Sequence, residues 1–257
     1  MRCVINPYKM KYFLSLLALP IVVFAQPSVL YYDIDSEKYL QNNNINQTRP
    51  IASITKLMTA MVVLDSQPNL QEKLILSRKV KSSLPRQQYK RIDLLNAMLV
   101  KSDNGAAETL ADNYPGGRRR FIEDMNRHAF MFGMISTTFD DPTGLSSSNV
   151  STAIDVATMV NRASDYKLIR SISVQKQVTI DTKFKKRIRK IVLPNTNAHI
   201  LVEFDSVVVS KTGFTNPAGY CVAMFIEERG KRRVIVVLGA NNKHERIKKV
   251  EHIFYNV

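Results

Sequence analysis

The sequence predicts an α+β fold in which both ends of the chain build one sheet and the middle builds a helical lobe. Apolar and polar residues alternate near both ends, which is typical of strands, whereas apolar residues from 51 to about 166 recur at helical spacing. No internal repeat or low-complexity linker divides these parts. We therefore expect one folding unit of two lobes with a ligand-binding cleft between them.

The first 25 residues have the features of a secretory signal peptide. A basic start is followed by the short apolar run "FLSLLALPIVVF", and small residues stand at the −3 and −1 positions before a cleavage site after Ala25. An uncleaved membrane anchor is the alternative, but the run is short for a bilayer and contains Pro20. We predict cleavage, a single domain over residues 26–257, and a site of action outside the cytoplasm.

The first strands are predicted as a hairpin, since "SVLYYDID" (28–35) and "EKYLQNN" (37–43) flank a short turn. Helical spacing then continues through "IDLLNAMLV", "GAAETLADNY", "RRFIEDMNRHAFMFGM" and "TAIDVATMVNRA". The segment "STTFDDPTGLSSSNVS", between the last two, is rich in Ser and contains Pro and Gly. It is predicted as a loop.

Strand character returns after residue 170. The clearest strands are predicted at 204–211, 219–228 and 232–240, with Gly230 turning the last pair. The chain closes with the amphipathic helix "HERIKKVEHIFYNV", whose apolar face comprises Ile247, Val250, Ile253 and Phe254. We expect this face to pack on the sheet; contact with a membrane surface is the alternative.

The chain is strongly basic, with a formal net charge of +15 that falls to +12 when the three basic residues of the predicted signal peptide are removed. Basic runs lie at 118–120 and 183–190, but no nucleic-acid-binding motif accompanies them. We interpret the surplus as solvated surface that suits an anionic cell envelope. Cleavage also removes Cys3, so Cys221 has no partner for an internal disulfide and is predicted to be a buried apolar residue.

Three short motifs carry the candidate chemistry: Ser53-Ile54-Thr55-Lys56, Ser102-Asp103-Asn104 and Lys211-Thr212-Gly213. Singly they are weak signals, because S-x-x-K and S-x-N recur elsewhere in the chain. Their contexts distinguish them, since the first opens an apolar helix, the second lies in a turn between helices and the third ends a strand. In this order they match the signature of penicillin-binding proteins and serine β-lactamases.

The spacing of the first motif suits a nucleophile and its base. A serine hydroxyl is a weak nucleophile until a base takes its proton, and residues i and i+3 of a helix share a face. Lys56 must be neutral to act, and we predict that its apolar surroundings and a second cation, Lys211, lower its pKa. The alternative for Ser53 is a helix N-cap, although a capping box has Glu or Gln three residues on.

Two backbone N–H groups are predicted to stabilise a developing oxyanion. One belongs to Ser53 at the start of the helix, and the other to Phe214, just after the third motif. Gly213 has no Cβ, so we predict that a substrate backbone lies close along this edge strand.

Longer segments resemble the low-molecular-mass penicillin-binding proteins of the D-alanyl-D-alanine peptidase family, and most of all the D-alanyl-D-alanine endopeptidases of the Gram-negative periplasm. These segments are "RPIASITKLMTAMVVLD", "YPGG", "DPTGLSSSNVSTAIDVATM", "NTN" and "SKTGFTNPAGYC". The likeness extends over residues 28–255. It implies an α/β (α+β) fold like that of β-lactamases, with a five-stranded antiparallel sheet flanked by helices.

The resemblance also implies acyl transfer without a metal or other cofactor. Ser53 is then the acylated nucleophile, Lys56 its base, and Ser102 the relay that passes a proton toward the leaving amine. The substrate is a peptide cross-link of peptidoglycan, and β-lactam antibiotics are covalent inhibitors of the same serine.

Substrate-binding roles follow from the resemblance in the same way. Asn104 is expected to hold the substrate amide, while Lys211 and Thr212 bind the side of its terminal carboxylate. Asp103 is expected to brace its loop rather than to touch substrate.

Two departures from the family pattern favour an endopeptidase. Thr196 in "PNTN" replaces the arginine of the "PNRN" segment of carboxypeptidases, and loss of a fixed cation there fits a longer, cross-linked leaving group. The chain also stops soon after the catalytic domain, so we expect a periplasmic protein without a C-terminal anchor domain. A D-alanyl-D-alanine carboxypeptidase with the same catalytic residues is the main alternative.

Other classes fit less well. Class A β-lactamases deacylate with a glutamate after the S-D-N motif, but no Glu occurs between Asn126 and Val202, although Asp140 and Asp141 lie in that loop. An inactive wall-binding module would not need the serine and both lysines. G-x-S-x-G and H-E-x-x-H are absent, and no metal-ligand spacing connects the histidines His128, His199, His244 and His252.

Overall fold

The computed structural model describes residues 26–184 and 187–256, so the predicted signal peptide lies outside the described residues. The strands are β1 Ser28–Asp33, β2 Lys38–Asn43, β3 Arg49–Pro50, β4 Lys73–Ile75, β5 Gln88–Lys90, β6 Val150–Ser151, β7 Gln177–Phe184, β8 Arg187–Pro194, β9 Val207–Thr215, β10 Gly219–Glu228 and β11 Lys231–Ala240. The helices are α1 Lys56–Asp65, α2 Arg91–Val100, α3 Asn104–Asp112, α4 Gly117–Met131, α5 Ala153–Ser164, α6 Lys167–Ser173, α7 Ala198–Glu203 and α8 Lys243–Asn256; a 3₁₀ turn, Ala52–Thr55, precedes α1.

One five-stranded antiparallel sheet joins the two ends of the chain, in the order β2-β1-β11-β10-β9. The pairing of β1 with β11 runs from Ser28 opposite Leu238 to Asp33 opposite Arg233. This confirms the predicted sheet, its N-terminal hairpin and its three C-terminal strands.

The edge strand β9, Val207–Thr215, begins and ends later in the chain than the predicted strand at 204–211. Its pairing with β10 continues to Thr215, opposite Gly219, so the third motif lies within the strand rather than at its end. A second difference is the separate hairpin β7–β8, which the sequence indicated only as general strand character. This hairpin ends at Pro194 and so delivers residues 195–197 to the region between the two lobes.

The sheet is covered on both faces, which explains why β10 and β11 are nearly continuous apolar runs. Side chains of alternate residues enter two separate cores. Cys221, Ala223 and Phe225 join the larger core, which includes α1 and α5. Val222 and Met224 point to the other face, where α8 covers them.

The helical lobe is built around α1, whose side chains are almost all buried. A helix that is apolar on every side is surrounded by other elements, and here α2, α3, α4 and α5 pack around it. By contrast, α8 is apolar on one face only, and Val250 and Ile253 of that face are buried against the sheet, as predicted. Within the two described ranges, none of the helices combines the length and the apolar character needed to cross a membrane.

Candidate active site

Ser53 lies in the 3₁₀ turn that leads into α1, not in the α-helix itself. Ala52, just before it, has a φ of 45°, an uncommon conformation for a residue with a Cβ. The Nζ atom of Lys56, at the first position of α1, is 2.9 Å from Ser53 Oγ. The turn therefore presents the serine oxygen to the lysine at hydrogen-bonding distance, as the i, i+3 spacing predicts.

Lys56 is fully buried, and its Nζ atom has three acceptors. Besides Ser53 Oγ, it donates to Asn104 Oδ1 at 2.8 Å and to the carbonyl oxygen of Thr143 at 2.5 Å. Three acceptors match the three N–H donors of an ammonium group. When Lys56 is neutral, the nitrogen lone pair can take the Ser53 hydroxyl proton instead.

Burial lowers the pKa of Lys56 from 10.5 to about 7, while the negative charges of Asp141, Asp103 and Glu108 oppose this shift. The predicted effect of apolar surroundings is thus present in the structure. The pKa of Lys211 is well below its usual value because of burial, the charge of Lys56 and the charge of Arg246, in that order. The predicted second cation thus lies close to Lys56, although burial is the main cause of the lowered Lys56 pKa.

The second motif lies in the turn between α2 and α3. Ser102 has a φ of 62°, and its Oγ accepts a hydrogen bond from Lys211 Nζ at 2.9 Å. Asn104 turns Oδ1 toward Lys56, and its Nδ2 has no acceptor within the described part of the chain. This amide is therefore oriented to donate to a ligand in the cleft.

Asp103 braces its loop, as expected. It accepts from the backbone N–H of Ala106 at 2.8 Å and so caps α3. Its other contacts are Ser82 Oγ at 2.8 Å and the N–H of Ser83 at 2.5 Å. These bonds attach the loop of residues 77–87 to the start of α3, next to the second motif.

The side chains of the third motif bond mainly to other parts of the protein. Lys211 is buried, and its Nζ donates to Ser102 Oγ and to its neighbour's carbonyl oxygen. Thr212 Oγ1 donates to Thr196 Oγ1 at 2.7 Å. A Cβ on Gly213 would lie 2.9 Å from Ser53 N, so the absent side chain makes room for the Ser53 turn.

The direction of the Phe214 N–H follows from the strand geometry. Ser210 N donates to Ser173 Oγ on α6, which lies off the free edge of the sheet. In a strand the N–H groups of residues i, i+2 and i+4 point the same way, so the Phe214 N–H also points away from β10. It lies next to Gly213, which contacts the Ser53 backbone, and both predicted oxyanion donors thus border the same space.

This space is a cleft of about 510 Å³ between the lobes. Its lining includes the predicted Ser53, Ser102, Asn104, Thr212, Gly213 and Phe214, together with Lys101, Leu145, Pro194, Asn195, Thr196, Tyr220, Lys243 and Arg246. Lys56 and Lys211 lie behind this wall and reach it through their contacts with Ser53 and Ser102.

Sequence reasoning missed Arg246 of α8. It is only 5% exposed, lines the cleft, and its guanidinium has neither a hydrogen bond nor an ion pair among the residues the structure describes. Because the guanidinium has no partner within the described ranges and opens to the cleft, it can bind an anionic ligand there. Thr196 therefore does not leave the cleft without a fixed cation, and no pattern in "HERIKK" marked Arg246 in advance.

The loop of residues 139–151 was also missed as part of the site. Asp141 accepts from the backbone N–H groups of Thr143, Gly144 and Ser146 at 2.5–2.6 Å. These bonds fold the loop so that the Thr143 carbonyl faces Lys56. Both carboxylate oxygens of Asp141 are occupied in this way, which argues against its use as a deacylating base.

Asn149 connects this loop to the serine turn. Its Nδ2 donates to Thr55 Oγ1 at 3.0 Å, and its carbonyl oxygen accepts from the Ile51 N–H at 3.0 Å. Gly144 makes a still closer contact, because a Cβ there would lie 1.9 Å from the carbonyl oxygen of Ala52. The loop and the turn are thus fixed to each other on both sides of Ser53.

Comparison with known proteins places this site among enzymes. The model of the family described as D-alanyl-D-alanine carboxypeptidase matches residues 22–242. The D-alanyl-D-alanine endopeptidases of Escherichia coli and Pseudomonas aeruginosa are 37% and 38% identical over 228 residues, which cover 86% of this chain and 73% of each relative. The solved structure of penicillin-binding protein D2 from Listeria monocytogenes, bound to cefotaxime, is 32% identical, with a TM-score of 0.78 over 88% of this chain and 94% of that one.

The pKa of Lys56 predicts the pH dependence of Ser53 acylation. Because the base must be neutral and its pKa is lowered to about 7, the second-order rate of acylation by a labelled β-lactam should rise about tenfold per pH unit below 7 and level off above it. A rate that stays constant from pH 5.5 to 9, or that rises only near pH 10, would contradict the assignment. A Lys56→Arg variant, which stays charged, should show no such rise.

The contact between Gly144 and Ala52 predicts a local effect on the site. Gly144→Ala and Gly230→Ala both place a Cβ at positive φ, but a Cβ at Gly230 meets nothing within 4 Å. Gly230→Ala should lose about 1–2 kcal/mol of stability from backbone strain alone, measured by urea unfolding, and Gly144→Ala should lose more, because its Cβ also clashes with the Ala52 carbonyl oxygen. Only Gly144→Ala should also slow β-lactam acylation, by at least about tenfold; equal acylation rates in the two variants would contradict the proposed packing.

Proposed function

The chain belongs to the D-alanyl-D-alanine carboxypeptidase family, the low-molecular-mass penicillin-binding proteins, and we propose that it is a serine D-alanyl-D-alanine endopeptidase that hydrolyses peptide cross-links of peptidoglycan. The observation that carries the proposal is the Ser53–Lys56 pair, whose oxygen and nitrogen lie 2.9 Å apart at the wall of the cleft. The names of the relatives that are 37% and 38% identical support the endopeptidase activity.

The first step is acylation. Ser53 Oγ attacks the carbonyl carbon of the D-Ala residue, and its proton passes to neutral Lys56. The negative charge that develops on the carbonyl oxygen is stabilised by the N–H groups of Ser53 and Phe214. Since burial already lowers the pKa of Lys56 to about 7, the base is substantially neutral near physiological pH.

The second step releases the amine. Ser102, whose hydroxyl is hydrogen-bonded to Lys211, donates a proton to the leaving nitrogen as the C–N bond breaks. The proton that Lys56 took from Ser53 then replaces the one that Ser102 gave up, so Lys56 is neutral again. Water then attacks the ester carbonyl of the acyl-enzyme and gives a proton to Lys56. Collapse of this adduct breaks the ester bond and restores the Ser53 hydroxyl.

Binding groups surround these reacting atoms. Asn104 Nδ2 donates to a substrate amide carbonyl, since its Oδ1 is held by Lys56. Arg246 and Thr212 bind the carboxylate next to the scissile bond. Terminal D-Ala carries such a carboxylate, and so does the diaminopimelate centre whose amine forms the cross-link, so this subsite suits both substrates. Carboxypeptidase activity on terminal D-Ala is therefore the second candidate.

We further propose that the enzyme works in the periplasm and that β-lactams acylate Ser53. Export is supported by the sequence of residues 1–25, and acylation by the cefotaxime-bound relative. The basic surplus of the chain fits association with the anionic cell envelope.

The choice between the two activities is tested with defined substrates. Purified protein is incubated with cross-linked muropeptide dimers and, separately, with monomeric pentapeptides, and the products are resolved by chromatography. We expect dimers to be cleaved to monomers. Release of D-Ala from pentapeptides while the dimers stay intact would overturn the endopeptidase proposal in favour of the carboxypeptidase.

The nucleophile is tested on the same material. Ser53→Ala should neither cleave dimers nor become labelled by fluorescent penicillin, whereas Ser147→Ala, at an exposed serine in another S-x-N sequence, should do both. Labelling of Ser53→Ala would show that another residue is acylated.

A further inference from the structure

We propose that His199 and Glu203 of α7, together with Glu251 of α8, form a zinc-binding site on the surface of the protein. This site is separate from the peptidase chemistry and does not rest on the proposed function. The histidine spacing in the sequence gave no sign of it, because one ligand comes from a helix some fifty residues further along the chain.

The donor atoms lie where a zinc ion needs them. His199 Nε2 is 2.9 Å from Glu251 Oε1 and 3.6 Å from Glu203 Oε2, and one ligand atom from each residue lies within 4.8 Å of the other two. Bonds of about 2.0–2.2 Å in a tetrahedral site separate neighbouring ligand atoms by roughly 3.4 Å. The two measured distances bracket that value, so small side-chain rotations suffice.

Aromatic packing holds α7 and α8, which carry the three ligands, next to each other. His199 and Glu203 are one turn apart on α7 and share a face. Phe204, next to Glu203, stacks on Phe254 of α8 with ring centroids 3.9 Å apart and planes 8° from parallel. The Tyr255 hydroxyl donates to Glu203 Oε1, which orients the carboxylate and leaves Oε2 for a metal ion.

The chemistry of the three ligands selects the metal. An imidazole with two carboxylates suits zinc, whereas Mg²⁺ and Ca²⁺ prefer oxygen ligands alone. The two carboxylates balance the ionic charge of Zn²⁺ while the histidine is neutral. The side chain of His199 is 57% exposed and those of Glu203 and Glu251 are partly exposed, so a hydrated ion can reach the site, and water can fill a fourth position.

Zinc at this position would join two elements that border the cleft. α7 begins two residues after Thr196, which lines the cleft, and α8 carries Lys243 and Arg246. The ion would fix the distance between them and stabilise the folded chain, because the unfolded chain does not bring these ligands together.

The experiment measures thermal unfolding of tag-free, chelator-treated protein with ZnCl₂ or MgCl₂. Saturating zinc should raise Tm by roughly 5 °C, and magnesium should not. The rise should vanish in His199→Ala and Glu251→Gln and persist in His244→Ala, a matched change of an exposed histidine on α8. No rise in the wild-type protein, or an equal rise in His199→Ala, would overturn the proposal.

Isothermal titration calorimetry gives a second readout that does not depend on how stable a variant is. The wild type and His244→Ala should each bind one zinc ion per chain, and this binding should weaken at least about tenfold in His199→Ala. Unchanged binding by His199→Ala would overturn the site even if the melting data agreed with it.

Discussion

The burial of Lys56 is the constraint on which the rest of the site depends. A buried ammonium group is costly unless it is hydrogen-bonded, and its three acceptors come from three separate parts of the chain: the Ser53 turn, the start of α3 and the 139–151 loop. All three parts must therefore be in place before every N–H donor of the Lys56 ammonium group has an acceptor. The same burial lowers the pKa of Lys56 to about 7, so one packing arrangement both assembles the site and prepares its base.

The backbone around Lys56 adopts conformations that only this packing maintains. Ala52 and Ser102 both have positive φ although neither is glycine, and each stands beside or within a catalytic motif. Such conformations cost free energy and persist where the surroundings fix them. Here Asn149 and the close contact at Gly144 hold the turn at Ala52, while Lys211 bonds to Ser102.

Much of the fold and of the candidate site could be predicted from the sequence, because short local patterns of residues mark both. Alternation predicted the sheet, and three ordered motifs predicted Ser53, Lys56 and their neighbours. Contacts between distant segments left no such signal: Arg246 follows no motif, and the loop of Asp141 offered no periodic pattern. The contact of Gly213 with the Ser53 turn could not be predicted, because only the folded chain places β9 against that turn.

Buried Lys56 must have a pKa near neutrality to act as the base, and NMR tests this most directly. Lysine side chains are labelled with ¹³C and ¹⁵N, and Lys56→Arg identifies the resonance that belongs to Lys56. We expect this resonance to titrate with a midpoint near pH 7, while exposed lysines titrate near pH 10. A Lys56 that remains protonated through pH 9 would contradict it.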